Sequence, residues 1–113
     1  VQYIIYYKDS PVGSAYIRDI DPENRKGEYG IFIGETGFQH KGIGSCVAEM
    51  LIGIAFSELR LHKLFLRVFA DNIGGIKSYE RAGFEKEAYL KDDVFVDNEY
   101  RDVVIMAKIN TLI

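Results

Sequence analysis

The segment from Glu28 to Leu59 limits the folds open to this chain more than any other. A strand-like run, Tyr29-Gly30-Ile31-Phe32-Ile33, leads within a few residues to Gln39-His40-Lys41-Gly42-Ile43-Gly44, and a helix-like run follows from Ser45 to about Leu59. Strand, glycine turn and helix start form an arrangement suited to phosphate. The first turn of a helix leaves N–H groups unpaired and carries partial positive charge, and glycine lets the main chain approach an anion closely. The commonest motifs that use this arrangement are absent. There is no GxxxxGK followed by Ser or Thr, and Val47 stands where the dinucleotide fingerprint after Gly42 and Gly44 needs a third glycine. The next strand, ending Arg67-Val68-Phe69-Ala70, does not close on the acidic residue that fingerprint wants. On the turn alone, a phosphate grip and a plain strand-to-helix connection both stay open.

The remaining elements fall into place around that segment. Tyr3 to Tyr7 and Val12 to Ile20 read as antiparallel strands joined by the turn Lys8-Asp9-Ser10-Pro11. A solvated loop from Asp21 to Gly27 leads into a third strand, Glu28 to Ile33. The helix after Gly44 carries Val47, Met50, Leu51, Ile54, Ala55, Phe56 and Leu59, apolar on most sides, and is expected to be buried. Gly53 in its middle is expected to mark close packing against a strand. Leu64 to Phe69 reads as a fourth strand, parallel to the third because a helix connects them. Asp71-Asn72 caps a short helix that Gly83 ends. Phe84 to Val96 and Tyr100 to Ile109 are strand-like, with Asp97-Asn98 a two-residue hairpin turn. The order β-β-β-α-β-α-β-β implies an α+β fold: a mixed, mostly antiparallel sheet with helices packed on it, in a single domain over residues 1–113.

Composition narrows the function. With 48% hydrophobic and 27% charged residues the 113-residue chain can build a core and resists disorder. A net charge of −3 argues against a nucleic-acid partner. No apolar run approaches the roughly 18–20 residues of a membrane span. One cysteine and two histidines at no ligand spacing leave no internal disulfide and no metal site to expect, and they suit a reducing, cytoplasmic compartment.

Two blocks then resemble the GNAT superfamily of acetyl-CoA-dependent N-acetyltransferases. Gln39-His40-Lys41-Gly42-Ile43-Gly44 is similar to its Gln/Arg-x-x-Gly-x-Gly/Ala motif. Asn72, Ile76, Tyr79, Glu80, Gly83 and Phe84 match the pattern Asn-x-x-Ala-Ile-x-x-Tyr-Glu-x-x-Gly-Phe in register. The run from Val94 to Val103, with Leu61-His62-Lys63, resembles the branch with ribosomal-protein alanine, polyamine and aminosugar acetyltransferases. Gly75 and Ser78 depart from the usual alanine and leucine, and the pair Gly74-Gly75 should weaken the helix they open. The family usually places a strand and two helices before the strand that begins near Val1, so the domain is expected to be N-terminally incomplete.

The resemblance implies acetyl-CoA as cosubstrate and an amine as acceptor, either a small molecule or a protein N-terminus. The amides of Gln39, His40, Lys41, Gly42, Ile43, Gly44 and Ser45 are expected to cradle the pyrophosphate, with Lys41 either a direct contact or merely solvated. The third strand is expected to splay from the fourth, so that Ile31, Phe32 and Ile33 offer backbone groups to the pantetheine arm. Asn72 caps its helix and also contacts that arm. Tyr79 stands at the general-acid position, although it also fits the apolar helical stripe as a core residue. Glu28 is the leading general base, weighed against a solvated strand-end carboxylate, and Glu35 is second. Cys46 is expected to be a small packing residue in a direct-transfer mechanism. Asp92, Asp93, Tyr100 and Arg101 are left to the acceptor, to a second subunit of a homodimer, or to plain surface. The competing reading is a non-catalytic coenzyme A-binding regulatory module.

Overall fold

A computed structural model describes residues 1–34 and 42–111. Strand β1 (Gln2–Tyr7) turns through Lys8 and Asp9 into β2 (Ser10–Asp21). Both turn residues take positive φ, 50° and 65°, the twist a two-residue hairpin needs. The turn is therefore two residues long rather than four, and Ser10 and Pro11 already belong to β2. Strand β3 (Lys26–Ile33), helix α1 (Ile43–Gly53), β4 (Lys63–Phe69), α2 (Ile73–Arg81), β5 (Glu85–Val96) and β6 (Glu99–Ile109) follow. The last hairpin turns on Asp97 and Asn98 at φ 52° and 62°, as the sequence leads one to expect.

The six strands form one sheet in the order β1-β2-β3-β4-β6-β5. Every neighbouring pair is antiparallel except β3 and β4, which the helical crossover makes parallel. Alternation along the strands sends Ala15, Ile17, Tyr29, Leu64, Leu66, Val68, Val104 and Met106 into one core, where they meet Val47, Ala48, Leu51 and Ala55 of the first helical segment and Ile76 of α2.

Two expectations about the first helix need correction. It is amphipathic rather than buried all round, because Cys46 and Met50 lie one turn apart on an outer face while Val47 and Leu51 face the core. Cys46 is thus exposed and not a packing residue. Gly53 marks no close contact among the described residues: it is exposed, and a Cβ there would meet no atom beyond its own helix backbone within 4 Å. It instead marks the place where the α-helix widens into a π-helical turn, Ile54–Glu58, closed by the Leu59 N–H donating to the Ile54 carbonyl at 3.0 Å. The chain leaves that turn directly into Leu61, which is buried.

Tyr29 lies at the centre of the core, stacked with Phe84 at 6.2 Å between ring centroids and edge-on to Tyr79 at 6.2 Å. Its buried hydroxyl has no partner among the described residues. An unpaired buried hydroxyl costs about 1–3 kcal/mol of desolvation, while the ring's contacts do not depend on it. Tyr29→Phe is accordingly expected to raise the unfolding free energy by about 1 kcal/mol, read by urea denaturation; a loss of that size would mean the hydroxyl has a partner in solution.

Candidate functional site

The sheet opens at its centre. β3 and β4 pair through Lys26↔Lys63, Gly27↔Leu64 and Glu28↔Phe65, and there the pairing ends. β3 continues alongside β2 to Ile33, and β4 continues alongside β6 to Phe69. The splay that the resemblance implied is therefore present, and Glu28 is the last paired residue before it. Its carboxylate is neither solvated nor alone. Arg67, two residues beyond Phe65 and so on the same face, donates from Nε to Oε2 at 3.2 Å. Arg18, directly opposite Glu28 on β2, brings its Nε to 3.6 Å from Oε1. The Glu28 side chain is 7% exposed, and each arginine about half. A carboxylate buried to this degree is costly without such partners. Further along the same face, Tyr16 lies across Gly30, where a Cβ would fall 2.0 Å from the ring's Cζ. The Arg18 guanidinium sits 4.8 Å from the centre of that ring.

Helix α2 closes the other side of the opening, and its start is anchored from three directions. The Asn72 side-chain oxygen accepts the Gly75 N–H at 3.0 Å, the cap that the sequence predicts. A Cβ on Gly75 would lie 2.6 Å from Asn72 Nδ2, so the cap is tightly seated over this glycine. Arg101 pairs with Asp71 at 2.7 Å and stacks 3.8 Å over Phe69. The Ala70 N–H donates to the Asp102 carbonyl. Arg101 is thus an anchor for the helix entrance. Gly83, at φ 103°, ends the segment, and the Phe84 N–H returns to the Tyr79 carbonyl. Between these anchors Tyr79 is held edge-on to both Tyr29 and Phe84. Burial pushes its hydroxyl pKa above the ordinary tyrosine value, with the neighbouring Tyr16 phenol adding to the shift.

Two clefts meet at this point. One, of about 540 Å³, is lined by Ile31, Ile33, Gly42, Gly44, Ser45, Asn72, Ser78, Tyr79 and Arg81, among others. It lies at the N-terminus of α1, whose cap residue Gly42 is left-handed at φ 74° and offers no side-chain cap. Ser45 Oγ lies 2.8 Å from Ser78 Oγ and ties the two helices together. The other cleft, of about 410 Å³, is lined by Tyr16, Arg18, Glu28, Arg67 and Asp93 among others. Ile31, Asn72 and Tyr79 line both. Asp93 reaches the second cleft from a bulge in β5 between Leu90 and Val94. Asp102 holds that bulge, accepting from the Asp92 N–H at 2.8 Å and from the Tyr89 hydroxyl.

Most of the sequence-predicted site residues converge here, and the main-chain roles expected of Ile43 and Phe32 do not call on their side chains. The Ile43 side chain is buried in the core, and that of Phe32 is exposed rather than among those lining either cleft; only their main chains remain as contacts. Gln39, His40, Lys41 and Glu35 lie outside the described residues. Sequence reasoning passed over Arg18, Arg67, Ser78 and Arg81. Arg67 carried a signal, a charge inside the apolar strand Leu64-Phe65-Leu66-Arg67-Val68-Phe69.

The family described as "Acetyltransferase (GNAT) domain" matches residues 1–105. The chain is 29% identical over 92 residues to a spermidine N(1)-acetyltransferase of Vibrio cholerae, covering 81% of this chain and 53% of that protein. It is 31% identical over 100 residues to the putative ribosomal N-acetyltransferase YdaF of Bacillus subtilis, covering 88% and 54%. A dodecameric structure of spermidine N-acetyltransferase from Vibrio cholerae superposes with a TM-score of 0.89 at 26% identity, over 96% of this chain and 63% of that one. The chain spans about half the length of the curated relatives it matches.

Two measurements check this geometry. Asn72→Ala removes the α2 cap and is expected to cost about 1 kcal/mol of stability in denaturant unfolding. Burial raises the pKa values of Tyr29 and Tyr79 above the reference of 10.0, and the hydrogen bond to Asp102 raises that of Tyr89. The folded chain keeps these protons above the pH at which the unfolded chain releases them. Proton linkage therefore leaves stability unchanged below about pH 10 and lowers it as pH rises further. Melting curves between pH 8 and 11 should fall above pH 10, less steeply in Tyr29→Phe.

Proposed function

Because the chain belongs to the acetyltransferase (GNAT) domain family, we propose that its site transfers the acetyl group of acetyl-CoA to a primary amine by direct attack in a ternary complex. One observation carries the reading: the opening between β3 and β4 joins a cleft at a helix N-terminus to a cleft holding a buried carboxylate, with Tyr79 on the wall of both. The first cleft suits the cosubstrate. Main-chain N–H groups of the first turn of α1, from Gly42 through Ile43 and Gly44 to Ser45, face the pyrophosphate, with Gln39, His40 and Lys41 assigned to the same grip. The main chain of β3 from Ile31 through Phe32 to Ile33 receives the pantetheine arm, and an N–H there polarises the thioester carbonyl. Asn72 contacts the arm while capping α2.

The second cleft suits the acceptor. Attack requires a neutral amine. Glu28, held by Arg18 and Arg67, takes the ammonium proton, directly or through water. The C–N bond forms, the C–S bond breaks, the departing sulfur takes the Tyr79 hydroxyl proton, and the second proton shed by the new amide nitrogen returns, through water, to the Tyr79 phenolate. The raised pKa of Tyr79 keeps that proton in place across the physiological range. The domain works in the cytoplasm, a compartment that suits the lone exposed thiol of Cys46. A second subunit forms a homodimer over the β5–β6 hairpin, where Phe95 and Tyr100 face each other at 4.9 Å and are both largely exposed.

Saturating acetyl-CoA is expected to raise the melting temperature, corresponding to about 2.7 kcal/mol at a hundred times the dissociation constant. Tyr79→Phe should keep that shift and lower kcat by roughly 10²–10⁴-fold. Absence of the thermal shift would sink the cosubstrate assignment, and undiminished turnover in Tyr79→Phe would sink the acid role. Binding without transfer to any amine would leave the coenzyme A-binding regulatory module in its place.

A further inference from the structure

The acceptor-side cleft carries a charge pattern that the transfer chemistry does not require. Arg18, Glu28 and Arg67 come from three successive strands of the sheet and face the same way. Both arginines reach Glu28 through Nε, Arg67 at 3.2 Å and Arg18 at 3.6 Å. Arg18 Nε also lies 3.9 Å from the exposed carboxylate of Asp19. The Nη groups of Arg18 and Arg67 make no hydrogen bond among the described residues. Each arginine side chain is about half exposed, and both residues line the cleft. Neither is loosely placed, since Glu28 anchors both and the Tyr16 ring supports Arg18. Asp93 contributes a second carboxylate to the lining. The wall thus presents two guanidinium forks with unused donors and two carboxylates within one small cleft. A polycation would meet two positive charges at the entrance to its own site. A zwitterion matches the pattern, with its anion on the forks and its ammonium beside the carboxylates.

We propose that Arg18 and Arg67 form a carboxylate subsite, and that the acceptor is an α-amino acid whose carboxylate they hold while its amine enters the opening beside Glu28 and Tyr79. The amine specificity rests on the acetyl-transfer reading, but the carboxylate subsite can be measured without it. Planar guanidinium forks match a carboxylate in a two-point geometry that lysine does not reproduce. Arg18 and Arg67 bind the acceptor here, since they touch it away from the reacting nitrogen.

The test compares matched pairs: L-lysine with cadaverine, L-leucine with isopentylamine, and L-phenylalanine with 2-phenylethylamine. In the wild-type protein kcat/KM for at least one acid should exceed that of its decarboxylated partner by roughly ten- to a hundredfold, the size expected for hydrogen bonds to a charged group. Arg18→Gln should collapse that ratio mainly through KM. Arg67→Lys keeps a charge beside Glu28 and loses the fork, so it should lower the ratio even if Arg67→Gln fails to fold. Calorimetric titration with N-acetyl-L-phenylalanine and N-acetyl-2-phenylethylamine reads the subsite without turnover. Tighter binding of the carboxylate, lost in Arg18→Gln, supports the subsite even if acetyl-CoA gives no thermal shift and the transfer reading falls. A wild-type preference for the decarboxylated amines, or a ratio that neither arginine variant changes, overturns the proposal.

Discussion

The structure depends on a parallel strand pairing that stops after three residues. Up to Glu28 and Phe65 the sheet is continuous. Beyond them β3 follows β2 and β4 follows β6, so the two halves of the sheet part while each keeps its own antiparallel ladder. Those ladders are extensive, so the opening does not dissolve the sheet. At its base, the bridge from Glu28 to Arg67 links the diverging strands. A buried carboxylate is costly without partners, and here the partners come from the strands on either side. The same charge that needs satisfying thereby marks where the sheet divides.

Everything chemical is arranged around that opening. Helix α1 begins at one end of it behind a left-handed glycine. Helix α2 lies beside it with Tyr79 fixed between two aromatic rings. The entrance of α2 is set by Asn72, by the Arg101–Asp71 pair and by the Ala70–Asp102 backbone bond. β6 therefore does more than complete the sheet, because it sets the position of the helix that carries the phenol. β5, the edge strand, bulges so that Asp93 reaches the acceptor-side cleft. Residues far apart in the chain are assembled by strand order, with β6 inserted between β4 and β5.

Much of this was legible in the residues. Alternation and turn chemistry placed all six strands, and positive φ at Asp97 and Asn98 is what their side chains tolerate. Asn72 and Gly83 bounded α2 because capping is a local property. What was misread depended on surroundings. Met50 and Cys46 are apolar enough to suggest burial, but whether a helix face is covered depends on what packs there. Gly53 looked like a close-contact glycine and is exposed at a change of helix type. Glu28 could be read as solvated because nothing in its own neighbourhood along the chain names Arg67, which lies 39 residues away.

The sequence by itself determined the class of fold, the order of its elements, and the two motif blocks that mark the family. These rest on periodicity, capping and turn preferences, all of which act over a few residues. Tertiary structure alone decided that the start of α1 and helix α2 line one cleft beside a split sheet, that Tyr79 borders two clefts at once, and that two arginines converge on one buried carboxylate. Such relations arise from strand order and register, which join residues by hydrogen-bonded ladders rather than by their separation along the chain.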